Sequence, residues 1–317
     1  MYRNRIKQSF ILSQGKDIEV NVIINGVAST MNSSSVPRSM KDQQDSQFTP
    51  ESEVIPMSLA SEDSGLSVRK KVRILNLYID NFSKDEFLKK LKQGVVFTPN
   101  VDHLMQLQEN RQFLQAYKAA DYLICDSQIL VYASRFLGTP FKEKLSGSDV
   151  FPEFCHYHKN NPNIRIFLLG AAPGVAKKAQ ARINAKVGRE IVVAEYSPPL
   201  GFENDEQECQ KIVQLINDSG ATVLGVGFGS PKQELFISKY KNQFDDRVKI
   251  LMGIGATIDF EAGNVKRAPS FLSDIGLEWF YRFMIEPRRL WKRYFVDDVG
   301  FLWLILKQKL KIYKAPF

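Results

Sequence analysis

The sequence predicts an α/β fold: a doubly wound, mainly parallel sheet with helices on both faces. Three observations predict it. Short apolar runs closed by glycines recur, as IFLLGAAPG, TVLGVGFGS and KILMGIGA. Segments of helical composition separate these runs. The alternation continues unbroken from residue 71 to about residue 260, and strands joined through helices return to one sheet in parallel.

The elements follow in order. VRILNLYID (72–80) has strand composition. NFSKDEFLKKLKQG follows as a helix, with Ser83 as N-cap, Glu86 at capping-box spacing and Gly94 beyond its end. VVFTPNVDHLMQLQEN reads as strand, turn and helix, and a second helix spans 111–119. DYLICD is a strand ending at Asp126, and SQILVYASRFLG is the next helix. After TPFKEKLSGSD a helix is expected over about 150–158. IRIFLLGAAPG is strand then glycine turn, VAKKAQARINAKVG helix, IVVAEYSPPLGF strand then loop, and 206–219 helix. The strands at Val223–Val226 and Ile250–Met252 end in glycine loops, followed by helices starting near Pro231 and after the second loop. In such sheets ligands bind off the carboxyl ends of the strands. The two loops therefore suggest one wall of a ligand cleft, with Gln233, Glu234 and Asp259 near it.

Composition narrows the classes. The 317 residues, 44% hydrophobic, suit one large or two modest domains. Cys125, Cys155 and Cys209 show neither metal-ligand spacing nor a disulfide framework, which points to a reducing cytoplasm. No apolar run reaches the ~18–20 residues of a membrane span. Residues 1–70 read as a largely disordered extension: Val20, Val22 and Ile24 allow a short hairpin, but 29–67 is rich in Ser, Gln, Asp and Pro. Residues 71–266 are the α/β domain. Residues 267–317 form a helical, aromatic and basic appendage, and most of the net charge of +8 lies there. Its run VGFLWLIL is too short to span a bilayer and suits its surface. Basic and aromatic residues together point to an anionic membrane surface rather than nucleic acid, with packing on the body or on a neighbouring copy in a homo-oligomer as the alternative.

Several polar residues stand at strand ends. Asp126 suits a general base, or else it or Ser127 caps the helix. Thr98, Asn100 and Asp102 in TPNVDH suit a sugar or phosphate, or else serve the turn. GFGSPKQE, with Gly229 and Gln233, suits an anion held by backbone N–H groups, although it is neither a P-loop nor the dinucleotide fingerprint. Asp259 suits a sugar hydroxyl, or else a cap. His103, His156 and His158 lack zinc spacing, and no Asp-x-Asp pair occurs, so neither metal nor cofactor is expected.

TPNVDHL, ADYLICD, LSGSD, IFLLGAAPGVA, VGFGSPKQE, GIGATIDFEAG followed by KRAP, and GLEWFYRF followed by EPRR and RY occur in an order that resembles the WecG/TagA/CpsF glycosyltransferase family, over roughly 72–296. The resemblance implies a Rossmann-like body with a membrane-facing appendage, at the inner face of the plasma membrane. It implies inverting, metal-independent transfer from a UDP-sugar to a polyprenyl-diphosphate-linked sugar. Asp126 matches the base, Thr98 and Asn100 the residues between donor and acceptor, and Gln233 and Asp259 donor-side positions. Arg282, Arg288, Arg289 and Arg293 match basic positions that reach the diphosphate. Where the family commonly carries Asp-Gly the chain has Asp126-Ser127, and Lys144 replaces an arginine, keeping the charge without the bidentate fork. A nicotinamide-dependent dehydrogenase and a non-catalytic nucleotide-sugar sensor are the alternatives from other classes.

Overall fold

The computed structural model describes residues 70–265, 284 and 299–317. The expected hairpin near Val20 and the basic stretch carrying Arg282, Arg288, Arg289 and Arg293 lie outside them.

The chain enters as an antiparallel hairpin, β1 (Lys71–Ile74) and β2 (Leu77–Asp80). This corrects the expectation of one strand over 72–80: the chain reverses at Leu75, which takes a left-handed φ of 53°. No glycine marks that turn, and the side chain that adopts it is fully buried. Helix α1 (Lys84–Lys90) starts on the expected capping box, in which Ser83 accepts from the Glu86 N–H and Glu86 accepts from the Ser83 N–H. Gly94 does not cap this helix. It opens β3 (Gly94–Phe97) with φ 117°, where a β-carbon would press on the Asp121 side chain.

The remaining elements are α2 (Val101–Glu109), α3 (Arg111–Lys118), β4 (Tyr122–Leu123), α4 (Gln128–Leu137), α5 (Gly147–Tyr157), β5 (Ile166–Gly170), α6 (Val175–Val187), β6 (Val192–Tyr196), α7 (Glu206–Asp218), β7 (Val223–Gly227), α8 (Lys232–Tyr240), β8 (Ile250–Gly253), α9 (Thr257–Ala262) and α10 (Val299–Lys309). Helix α5 begins three residues before the expected 150, because Ser146 caps it by accepting from the Asp149 N–H.

Six strands form one sheet in the order β4-β3-β8-β7-β5-β6, and every pairing is parallel. Alternate side chains supply the two faces. Along β5, Phe167 and Leu169 join the core shared with α2, α3, α4, α7 and α8, while Ile166 and Leu168 join the core shared with α1, α5, α6 and α9. Both faces are covered, which is why the strands read as continuous apolar runs. The doubly wound α/β expectation holds.

Helix α10 packs on the first of these faces. Phe301 and Ile305 are buried in that core, whereas Leu302 and Trp303 are more than half exposed. The Gln308 side chain closes the β1–β2 turn, accepting from the Leu75 N–H at 2.7 Å and donating to the Arg73 carbonyl at 2.9 Å. The apolar run thus divides its two sides between the body and the surface. No helix among the described residues is long and apolar enough to cross a membrane.

Candidate active site

Because the sheet is parallel throughout, all six carboxyl ends lie along one edge, and the polar residues singled out in the sequence gather there. A depression of about 620 Å³ lined by Lys90, Asp121 and Lys249 opens at the opposite edge, by the amino ends of β3 and β8, away from these residues.

Asp126 follows β4, and its N–H donates to the Pro99 carbonyl at 3.0 Å. This bond joins the strand end to the Thr98–Asn100 turn that follows β3. Ser127 occupies the N-cap position of α4 without a side-chain bond to the helix, and Asp126 stands directly before it. Asn100 does cap α2, accepting from the His103 N–H at 3.0 Å, so the turn reading and placement beside Asp126 hold together. Thr98 is buried. A β-carbon on Gly147 would sit 3.6 Å from Thr98 Cγ2 and 3.7 Å from the Gly253 carbonyl, so the start of α5 lies between the ends of β3 and β8.

Lys144 belongs to the same group. The following residue, Leu145, donates its N–H to the Cys125 carbonyl at 2.7 Å, laying the segment beside Asp126. Lys144 Nζ lies 3.9 Å from the Asp149 carboxylate. Burial pushes the Cys125 thiol up to about 12, against smaller lowerings from its hydrogen bond to the Ser127 backbone and from Lys144, so this cysteine is a packing group rather than a nucleophile.

The three glycine turns are in mutual contact. A β-carbon on Gly170 would come within 2.6 Å of the Gly227 carbonyl, and one on Gly227 within 2.7 Å of the Gly255 carbonyl. Gly170 and Gly227 therefore let the turns after β5, β7 and β8 stack on one another. That explains these two glycines without a ligand. At Gly174 (φ 80°), Gly229 (φ 78°) and Gly255 (φ 51°), by contrast, a β-carbon would meet nothing within 4 Å. The Gly255 N–H is taken by Gln233, which leaves the turns at Gly174 and Gly229 as the open backbone suited to an anion.

Gln233 bridges the same turns. Its Oε1 accepts from the Gly255 N–H at 3.0 Å, and its Nε2 donates to Glu234 Oε1 at 2.8 Å. Asp259 lies in the first turn of α9, half-buried, and burial raises its carboxyl above the ordinary range. Arg282, Arg288, Arg289 and Arg293 are outside the described residues, so their approach to this edge is not part of the geometry.

The chain matches the glycosyl transferase WecG/TagA/CpsF family over residues 72–315. The chain is a member of that family. Two relatives are similar to this glycosyltransferase. One, from Bacillus subtilis (strain 168), is named N-acetylglucosaminyldiphosphoundecaprenol N-acetyl-beta-D-mannosaminyltransferase; it is 32% identical over 219 residues, 69% of this chain and 81% of the relative. One from Bacillus spizizenii (strain ATCC 23059 / NRRL B-14472 / W23) bears the same name and is 30% identical over 207 residues, 65% of this chain and 77% of the relative.

Two features of the transferase go beyond the sequence reading: it put Glu234 near the cleft without showing its burial, and it gave no sign of the His103–Tyr117 pair. Glu234 has no exposed surface and is held up to about 7, chiefly by burial, against the opposing Gln233 amide, its own backbone N–H and Ser230, with Asp102 adding a further push upward. Its signal is positional, since it falls on the buried face of α8 with Ile237. Beneath the edge, His103 Nδ1 and the Tyr117 hydroxyl share a buried hydrogen bond of 2.7 Å. Burial raises the Tyr117 hydroxyl well above its ordinary value, and Glu234, Asp126 and Asp102 add to the rise in that order. Three carboxylates from three separate segments therefore act on one phenol.

Proposed function

We propose that this glycosyltransferase moves an N-acetylmannosamine-type sugar or related hexose from a UDP-sugar to a polyprenyl-diphosphate-linked sugar during cell-surface polysaccharide synthesis. The observation that carries the reading is the tie between Asp126 and the Thr98–Asn100 turn at the carboxyl edge, beside the Gly229 and Gly255 turns. The names of the two relatives support the lipid-linked acceptor.

In this mechanism the Asp126 carboxylate takes the proton of the acceptor hydroxyl as that oxygen attacks the anomeric carbon. The new C–O bond forms on the face opposite the leaving group, so configuration inverts. The bond from the anomeric carbon to UDP breaks, and UDP keeps the electron pair. Thr98 and Asn100 orient the two sugars, while Gln233 and Asp259 hold the donor side. The growing negative charge is met by backbone N–H groups around Gly229, by Lys144, and by Arg282, Arg288, Arg289 and Arg293 rather than by a metal ion. Docking of the appendage on an anionic membrane face at the cytoplasmic side brings these arginines to the acceptor diphosphate. The absence of Asp-x-Asp pairs from the sequence supports metal independence.

A panel of UDP-sugars offered with a polyprenyl-diphosphate-N-acetylglucosamine acceptor, read by mass spectrometry with and without chelator, tests this. One donor should give a product heavier by one sugar, at an unchanged rate in chelator. No product from any donor would contradict the assignment, and loss of activity in chelator with recovery in manganese would contradict metal independence.

A further inference from the structure

Glu234 is a buried titratable group that this mechanism leaves unused. It stands in the first turn of α8, directly after the β7 turn, with no exposed surface. One oxygen is engaged: Oε1 accepts from Gln233 Nε2 at 2.8 Å, and Gln233 Oε1 in turn accepts from the Gly255 N–H at 3.0 Å. The chain of contacts runs from Glu234 through one amide to the turn after β8. A β-carbon on Gly253 would sit 3.1 Å from Gln233 Nε2, so the bare backbone there makes room for that amide. The other oxygen, Oε2, and the Ser230 hydroxyl in the same turn are both buried; neither makes a hydrogen bond of full geometry, and the effect of Ser230 on the carboxyl ranks behind that of Gln233.

We propose that Glu234 is a positioning residue for the donor, holding the β7–α8 turn to the β8–α9 turn through the Gln233 amide while its own carboxyl is neutral. The argument for the neutral form is physical. An ionised carboxyl here would be fully buried with one well-formed side-chain hydrogen bond, from Gln233, and burying a charge so weakly compensated is costly. The groups facing it are unfavourable to a second anion: Asp102 on α2 raises its proton affinity, and it shares the field at the Tyr117 hydroxyl on α3 with Asp102 and Asp126. His103 meets Tyr117 from α2 and adds no carboxylate. The shift of the Glu234 carboxyl to about 7 accords with this geometry. An amide NH2 carries two donors. Fixing one on Glu234 fixes the direction of the other, and thereby the shape of the donor side. Ionisation would place a negative charge beside the turns that receive a diphosphate.

The donor part of this inference rests on the UDP-sugar reading above. The test uses full-chain wild type, Glu234→Gln and Glu234→Leu, with two readouts. The first is KM and kcat for the UDP-sugar from pH 6.5 to 8.5. Wild-type KM should rise roughly tenfold between pH 7 and 8.5 as the competent fraction falls, with kcat changing far less, and Glu234→Gln should remove the rise. The second is hydrogen exchange of the Gly255 amide in protein without ligand, corrected for intrinsic rates. Protection should be high in the wild type and in Glu234→Gln across the pH range and low at all pH values in Glu234→Leu. A KM rise in Glu234→Gln equal to that of the wild type, or equal Gly255 protection in all three proteins, would overturn the proposal. Should the wild type turn over no UDP-sugar, the exchange pattern still decides the clamp, and the fault then lies with the donor assignment.

Discussion

The carboxyl of Glu234 carries a pH dependence into the stability of the whole chain. Its folded value is about 7 and its ordinary value 4.5, so between these the folded state keeps a proton that the unfolded state has released. Stability therefore falls as pH rises through this window, and the loss is complete above the folded value. At 1.36 kcal/mol for each tenfold change in proton affinity, the carboxyl contributes roughly 3 kcal/mol. In urea denaturation, the stability of Glu234→Gln relative to wild type should increase by about that amount between pH 4.5 and pH 8. An unchanged difference would mean that the buried carboxyl does not titrate in the window. At this scale the sequence showed Asp126, Thr98 and Asn100 because they end apolar runs, and strand ends are readable from local pattern. It did not show that Asn100 also caps α2, nor which glycines serve packing. Gly170 and Gly227 look in sequence like ligand loops, and only the approach of the Gly227 and Gly255 carbonyls reveals that they meet each other.

Single elements were legible where their signals are local. The Ser83–Glu86 box was readable because its two bonds span three residues. Ser83→Ala should cost about 1 kcal/mol in chemical denaturation, and a change near zero would show that the hairpin and α5 hold α1 without it. The β1–β2 reversal was not readable, because Leu75 supplies none of the turn chemistry that normally marks a left-handed residue. Nor could VGFLWLIL be resolved by periodicity, being apolar on every side. The structure separates its roles. Phe301→Ala, which empties a buried position, should cost about 3 kcal/mol or more. A Leu302→Ser/Trp303→Ser double variant should leave the melting temperature within a few degrees while weakening flotation with vesicles rich in anionic lipid. Vesicle binding unaffected by that pair would move the membrane contact off the exposed side of α10.

At the scale of the molecule, the alternation of strands and helices was enough to predict a parallel sheet covered on both faces. The order β4-β3-β8-β7-β5-β6 was not, because it depends on pairings between distant segments such as β3 with β8. That order makes neighbours of the Asp126 strand end, the Thr98 turn and the Gly253–Gly255 turn. It places a carboxylate and a glycine turn together instead of scattering them along the sheet. The most direct measurement is the transfer rate of Asp126→Asn in full-chain protein, set against its affinity for UDP. The account predicts a fall in kcat of about 10²–10⁴-fold with UDP binding within a few-fold of wild type. Turnover near the wild-type rate would contradict it.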